Sequence, residues 1–246
     1  MEGQTRTTVT VASQFRGPPQ SGNGGYVCGL LAEALGGPVT AMLRAPVPLD
    51  QALTLVADGE TARLVGPGET LIGEARRAAP EDLPAPPAPP SLAQARAAAE
   101  RFVGLQRTFH PICFTCGPSL ADGVGLRVFA GQIEGAPAGH VAGPWTPHAA
   151  FAGADGLIPA PIIWAALDCP GSVAWVVQEG GGGLLGTMTA QVLRHPKPGE
   201  TLTVLAWPMT LSGRKRFAGT ALYSAEGELL AHSAQIWIGR APVSPE

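Results

Sequence analysis

The chain has 246 residues, a formal net charge of −3 and 14% charged residues. A chain this poor in charge lacks the basic patch that nucleic acid requires, and 45% hydrophobic residues are too many for a disordered polymer. The length allows one large domain or two small ones, each with a core, and 33 glycines and 25 prolines without a collagen period point to many turns and a loose linker.

The first residues, MEGQTRTTVTVASQF, carry no apolar stretch of the secretory kind, and no apolar run approaches the roughly 18 residues of a membrane span. Four cysteines, Cys28, Cys113, Cys116 and Cys169, are too few and too scattered for a disulfide scaffold. The expectation is a soluble, cytoplasmic protein in a reducing compartment, with no membrane or nucleic-acid partner.

An alternating run from Thr8 to Phe15 predicts a first strand. The turn SGNGG at 21–25 leads into YVCGLLAEAL, a buried helix ending at Gly36-Gly37. PVTAMLRAPVPL, ALTLVADG, ETARLVGPG and ETLIGEARRA follow as short strands between turns. Ala79–Pro90 then holds six prolines in twelve residues, which favours an extended, exposed connection and excludes an interior strand. Ser91 caps a short helix, LAQARAAAERFVG, whose small apolar residues suggest a surface position. Residues 79–109 thus read as a linker between an N-terminal segment, 1–78, and a C-terminal one, 110–246.

The second segment repeats the order of the first. Gly125–Gly131 and His140–Pro144 read as strands, and AGADGLIPAP leads into the nearly all-apolar helix IIWAALDCPGSVAWVV. LLGTMTAQVLRHP, ETLTVLAWPMTL, KRFAGTALYSA and ELLAHSAQIWIG are four strands, with SG (212–213) and EG (226–227) at hairpin turns. One helix per segment cannot cover both faces of a parallel sheet, and the strands are joined too tightly for crossovers. The expected class is α+β: two antiparallel sheets, each wrapping a central helix.

At the residue level the chain resembles the tandem, or double, hotdog proteins of the acyl-CoA thioesterase superfamily, the type II acyl-CoA thioesterases in particular. The resemblance rests on Asn23-Gly24-Gly25-Tyr26-Val27-Cys28-Gly29 at one helix start, on Gly156, Pro159-Ala160-Pro161 and Asp168 at the other, and on Gly213-Arg214, Gly219, Tyr223, Gly227, Leu229, Ala231 and Gln235 in the tail. It implies a pseudo-dimer within one chain, further homo-oligomers being permitted, and hydrolysis of acyl-CoA or acyl carrier protein thioesters without metal or organic cofactor. A non-catalytic acyl-CoA-binding protein is the alternative. The resemblance further implies that Asp168, Gln235 and a strand threonine, Thr187 or else Thr189, hold the attacking water.

Each candidate also has a plain structural reading. Asp168 sits among Ile, Trp, Ala and Leu, so it is either a partnered base or a cap on backbone freed where Pro170 kinks or ends the helix. Asn23, Gly24 and Gly25 form a capped helix start whose free N–H groups can polarise a carbonyl; proline at 25 is expected to remove that donor and leave the fold intact. Counted from the helix starts, Ala32 matches Asp168 and Pro161 matches Gly25, so one composite site across the two segments is expected and its mirror is dead. Trp164 and Trp175 lie near the Asp168 face as acyl-pocket walls or core. Arg214, followed by Lys215 and Arg216, is a hairpin end or a contact for coenzyme A phosphates. His110-x-x-Cys113-x-x-Cys116 offers three zinc ligands where four are usual, and His140 or Cys169 completes the set only if the fold brings it there; the site expectation is no metal.

Overall fold

The computed structural model describes residues 3–106 and 110–239, so the end of the expected linker, 107–109, lies outside the described residues. The first half forms β1 (Thr5–Thr10), α1 (Gly24–Glu33), β2 (Val39–Leu43), β3 (Ala52–Ala57), β4 (Thr61–Val65) and β5 (Leu71–Arg77). Two short helices follow, α2 (Leu92–Ala99) and α3 (Val103–Gln106). The second half forms β6 (Gly131–Gln132), β7 (Val141–Trp145), α4 (Ala160–Glu179), β8 (Leu184–Val192), β9 (Leu202–Ser212), β10 (Lys215–Ser224) and β11 (Leu229–Ile238).

The strands make one continuous eleven-stranded sheet in the order β1-β3-β4-β5-β2-β8-β11-β10-β9-β7-β6. All its pairings are antiparallel. The halves meet where β2 pairs with β8, Val39 opposite Ala190 and Met42 opposite Thr187. The strand–helix–four-strand order read from the sequence therefore holds in both halves, and their two sheets join edge to edge into one.

Some boundaries move. The first strand runs Thr5–Thr10, and Ser13–Phe15 turns into a short 3-10 helix because Asp50 Oδ1 takes the Ser13 N–H. Of the expected Gly125–Gly131 strand only Gly131 pairs in the sheet. Residues 126 and 128 bond instead to the carbonyls of Phe114 and Thr115, which draws that segment onto the 113–116 turn.

Pro170 does not end α4, which continues to Glu179 and stops at Gly180 in the left-handed region (φ 77°). This helix is long and apolar enough by composition to cross a membrane, contrary to the expectation of no such run, yet it is spent as a core helix with 72% of that window buried. Trp175 is part of the core and donates its indole N–H to the Phe217 carbonyl.

The proline stretch is less exposed than expected. It opens with a 3-10 turn at Pro80–Asp82, Leu83 is buried, and the carbonyls of Pro84 and Pro87 bond to His232 Nδ1 and Tyr223 Oη. Its backbone cannot donate a ladder, but its carbonyls still accept. α2, capped reciprocally by Ser91 and Gln94, lies on the surface as expected and packs one face inward: Ala95 and Ala98 are fully buried against Leu205, Trp207, Ala221 and Tyr223 on the outer face of the sheet.

On the inner face, α1 and α4 cross antiparallel at backbone contact. A Cβ at Gly25 would stand 2.5 Å from the Trp164 carbonyl oxygen, and one at Gly29 would stand 2.5 Å from Pro161 Cα. Both neighbours are main chain of a packed helix and cannot give way. Gly29→Ala is therefore expected to destabilise the protein by about 1–3 kcal/mol or to block folding, while Gly3→Ala, in open space, is neutral. Urea denaturation of the two variants checks this, and equal midpoints would contradict it.

Candidate functional site

The helix crossing places one carboxylate against the end of another helix. Asn23 caps α1, its Oδ1 accepting from Tyr26 N–H at 2.9 Å. One residue earlier, Gly25 N–H donates to Asp168 Oδ2 at 3.0 Å, so the first turn of α1 and its dipole face the Asp168 carboxylate. Asp168 is 3% exposed and its Oδ1, equally buried, meets no hydrogen-bond partner among the described residues. Burial drives its pKa up to about 7, against the pull of the Gly25 N–H and the Asn23 side chain, and with a further upward push from Cys113.

Thr115 completes the polar wall. Its hydroxyl donates to the Ala165 carbonyl at 2.7 Å and accepts from Asn23 Nδ2 at 3.2 Å. Thr115 is fully buried and ties the α1 cap to α4 one turn before Asp168. Sequence reading missed it, since it stands inside the Cys113-x-x-Cys116 turn; the signal was a hydroxyl within an otherwise apolar, cysteine-bounded run.

The structure joins some predicted residues to Asp168 and separates others. The donor of Gly25 is not free: the buried carboxylate has taken it. The reason for glycine there is the backbone of α4, because a Cβ would also stand 2.6 Å from Asp168 Cβ. Proline at 25 therefore disrupts the helix crossing, contrary to the expectation of an intact fold. Gly24 is the preceding first-turn residue, with its N–H left over once Gly25 and Tyr26 have acceptors; a Cβ there would press on Leu43 and Leu185.

Gln235 lies on the inner face of β11, 1% exposed, with every polar atom engaged. Nε2 bonds the Leu167 carbonyl at 2.7 Å and meets Thr220 and Ser233, while Oε1 accepts from Trp237 Nε1 at 2.8 Å. It grips the turn of α4 that carries Asp168 but offers nothing to a water.

Thr187 and Thr189 point the wrong way. Met188 and Ala190 enter the core under the helices, so their neighbours on β8 face the outer side. Thr189 there bonds Thr40 at 2.8 Å, and Thr40 likewise alternates with the core residues Val39 and Ala41.

Trp164 is core, 1% exposed, its backbone wedged on Gly25 and its Cβ facing Gly29. Arg214 donates from Nε to the Gly239 carbonyl beside the β9–β10 turn, and Arg216 pairs with Glu179 at 2.6 Å; neither touches Asp168.

The expected asymmetry is present in the helix geometry. Asp168 is the ninth residue of α4 and Ala32 the ninth of α1, while Gly25 and Pro161 are each the second residue of their helices. Where Gly25 meets Asp168, Pro161 meets Gly29, and Ala32 is a buried methyl. Beside the single carboxylate stand three thiols, Cys113, Cys116 and Cys169, with all sulfurs within 4.8 Å of one another. A cleft of about 490 Å³ opens at Asp122, Arg127, Trp145, His148 and Pro198, and Asp168 is not in its walls.

No protein-family model and no curated protein matches the chain. Solved structures do. A proposed thioesterase from Novosphingobium aromaticivorans superposes with a TM-score of 0.62 at 17% identity, over 95% of this chain and 94% of that one. A TesB protein of Mycobacterium avium subspecies paratuberculosis gives 0.63 at 15% identity, over 96% and 93%. A protein of unknown function with a hotdog fold from Alicyclobacillus acidocaldarius gives 0.58 at 16% identity, over 98% and 94%. The fold is thus the hotdog fold found in thioesterase-type proteins.

The buried carboxyl makes stability depend on pH with a defined sign. Its folded pKa, about 7, stands above the ordinary carboxyl value. The stability conferred by keeping it neutral is full below the unfolded pKa, near pH 4, and is lost as pH rises through about 7. Asp168→Asn keeps an acceptor for Gly25 N–H and never charges. Between about pH 5 and 8 the wild type is expected to lose stability relative to this variant, measured by urea denaturation with a chelator present to keep the neighbouring thiols metal-free. A difference that does not change with pH would contradict the assignment.

Proposed function

We propose that the chain hydrolyses thioesters of the acyl-CoA or acyl carrier protein type, as a double hotdog whose two halves act as a pseudo-dimer with one working site. The observation that carries this reading is the Asp168 carboxylate: buried, fixed through Oδ2 by the first turn of the opposite helix, and with Oδ1 unpartnered. A carboxylate so placed is a general base whose free oxygen takes a proton from water. The hydroxide attacks the thioester carbonyl, the oxyanion faces the N-terminus of α1 with Gly24 N–H as its donor, and the protonated carboxyl returns the proton to the leaving thiolate as the carbon–sulfur bond breaks. Gln235 is a positioning residue that holds the Leu167 turn.

An aromatic run supports a route for the acyl group. Tyr26 stacks on Phe15 at 4.1 Å between ring centroids; Phe15 meets Phe114 at 5.0 Å, Phe114 meets Phe151 at 5.5 Å, and Phe151 meets His148 at the cleft. The first turn of α1 and the cleft are thus joined by a continuous line of rings.

Free-thiol release from acyl-CoA substrates, acetyl to palmitoyl, tests the reading. Asp168→Asn is expected to lower turnover by about 10²–10⁴ with an unchanged circular dichroism spectrum. Gln235→Ala is expected to cost less, and Thr187→Ala nothing, since that side chain lies on the far face of the sheet. Full activity in folded Asp168→Asn would overturn the mechanism. A wild type that binds acyl-CoA and releases no thiol would leave the non-catalytic binding protein as the function.

A further inference from the structure

The three thiols beside Asp168 have no part in the hydrolysis. Cys113 and Cys116 come from the turn after the linker, and Cys169 comes from the middle of α4, 53 residues further on. Cys113 Sγ and Cys169 Sγ are 3.5 Å apart, and all three sulfurs lie within 4.8 Å of one another. No disulfide joins them. One ion bound to three thiolates at about 2.3 Å in a tetrahedral site spaces the sulfurs about 3.8 Å apart. The Cys113–Cys169 separation of 3.5 Å lies close to that spacing, and no pair of the three exceeds 4.8 Å.

The turn itself is built to present sulfur. Gly117 N–H closes it on the Cys113 carbonyl at 2.7 Å, and a Cβ on Gly117 would stand 2.5 Å from that oxygen, so the chain after the second cysteine must be glycine. Hydrogen bonding from the Cys116 and Cys169 thiols, and less from the Cys116 and Thr115 N–H groups, holds the Cys113 thiol well below its ordinary value against the opposing effect of burial. The turn is anchored on every side before any ion arrives. Phe114 N–H bonds the Arg16 carbonyl, Leu126 and Val128 bond back to Phe114 and Thr115, and the Thr115 hydroxyl holds Ala165 on α4. Cys113 is a buried residue, and Cys116 and Cys169 are half-buried.

We propose that Cys113, Cys116 and Cys169 form a three-thiolate site for a zinc ion, with a water or other small ligand in the fourth position. His110, one of the three ligands read from the sequence, is not in the cluster; the third ligand is Cys169 on α4, which the sequence offered as a completing fourth. The proposal replaces the expectation of a chain without metal and does not depend on the hydrolytic reading. The ion fastens the 113–117 turn to α4 at the residue after Asp168, so it acts on the shape of the site rather than on the substrate. Zinc displaces the thiol protons on binding, so affinity falls as the pH is lowered.

The test uses the full chain, purified under reduction, stripped with a chelator and then titrated with zinc sulfate alone. Elemental analysis after desalting is expected to give about one zinc per chain and the melting temperature is expected to rise. Cobalt substitution is expected to show thiolate-to-metal charge transfer. Cys169→Ser and Cys116→Ser are expected to retain below about a tenth of an equivalent, while Cys28→Ala, outside the cluster, retains the ion. If a serine variant fails to fold, protection of three thiols from alkylation by zinc in the wild type carries the same information. Less than about a tenth of an equivalent in the reduced wild type, or zinc kept by both serine variants, would overturn the proposal. So would a Cys113–Cys169 disulfide in protein that takes up no zinc once reduced.

Discussion

The contact between Gly25 on α1 and the backbone of α4 governs the rest of the structure. Only a residue without a side chain lets the two helices touch main chain to main chain, with the Trp164 carbonyl and Asp168 Cβ where a methyl would otherwise be. That approach brings the first-turn N–H of one helix to the carboxylate of the other. It also forces the carboxylate out of water, with only one of its oxygens satisfied. A buried, half-partnered carboxylate is costly, and such cost is tolerated where it serves a function. The sheet serves the same contact from outside: pairing of β2 with β8 fixes how the halves meet, α1 lies across both seam strands, and α4 lies over β8 and the strands of its own half.

Repetition and asymmetry are both needed. The two halves share their order of elements and their helix offsets, which is what brings equivalent turns of α1 and α4 face to face. At the equivalent positions the chemistry differs: Asp168 against Ala32, and Gly25 against Pro161, which has no N–H. Ala32 stands seven residues along α1 from the Gly25 contact, about 10 Å of helix rise, so the mirror place is a separate one. With Ala32 in place of an acid and no N–H on Pro161, the contact of Pro161 on Gly29 is pure packing.

Much of this was legible in the sequence, and what was not has physical causes. Turn glycines, the Asn23 cap and period-two runs are local signals, so the strands after each helix and both helix starts were readable. The Asp168/Ala32 and Gly25/Pro161 asymmetry was readable because counting from a cap needs no tertiary knowledge. The face of Thr187 was not: alternation gives parity, but which parity is inside depends on Met188 and Ala190 meeting the helices, and on a register shift opposite Ile236 and Trp237. The inward face of α2 was not legible, because Ala95 and Ala98 look like surface until Trp207 and Tyr223 on distant strands cover them. The thiol cluster was half visible, as one Cys-x-x-Cys with a nearby His. Its third member is set by where α4 crosses, which no local spacing encodes.

The direct test of the central contact is the amide shift of Gly25 in glycine-labelled protein, followed by NMR through a pH titration with a chelator present. A hydrogen bond from Gly25 N–H to Asp168 predicts a downfield-shifted amide whose shift titrates with a midpoint near the raised carboxyl value, about 7, and which stops titrating in Asp168→Asn. A Gly25 amide that does not respond to pH in the wild type, or one that responds equally in the variant, would contradict it.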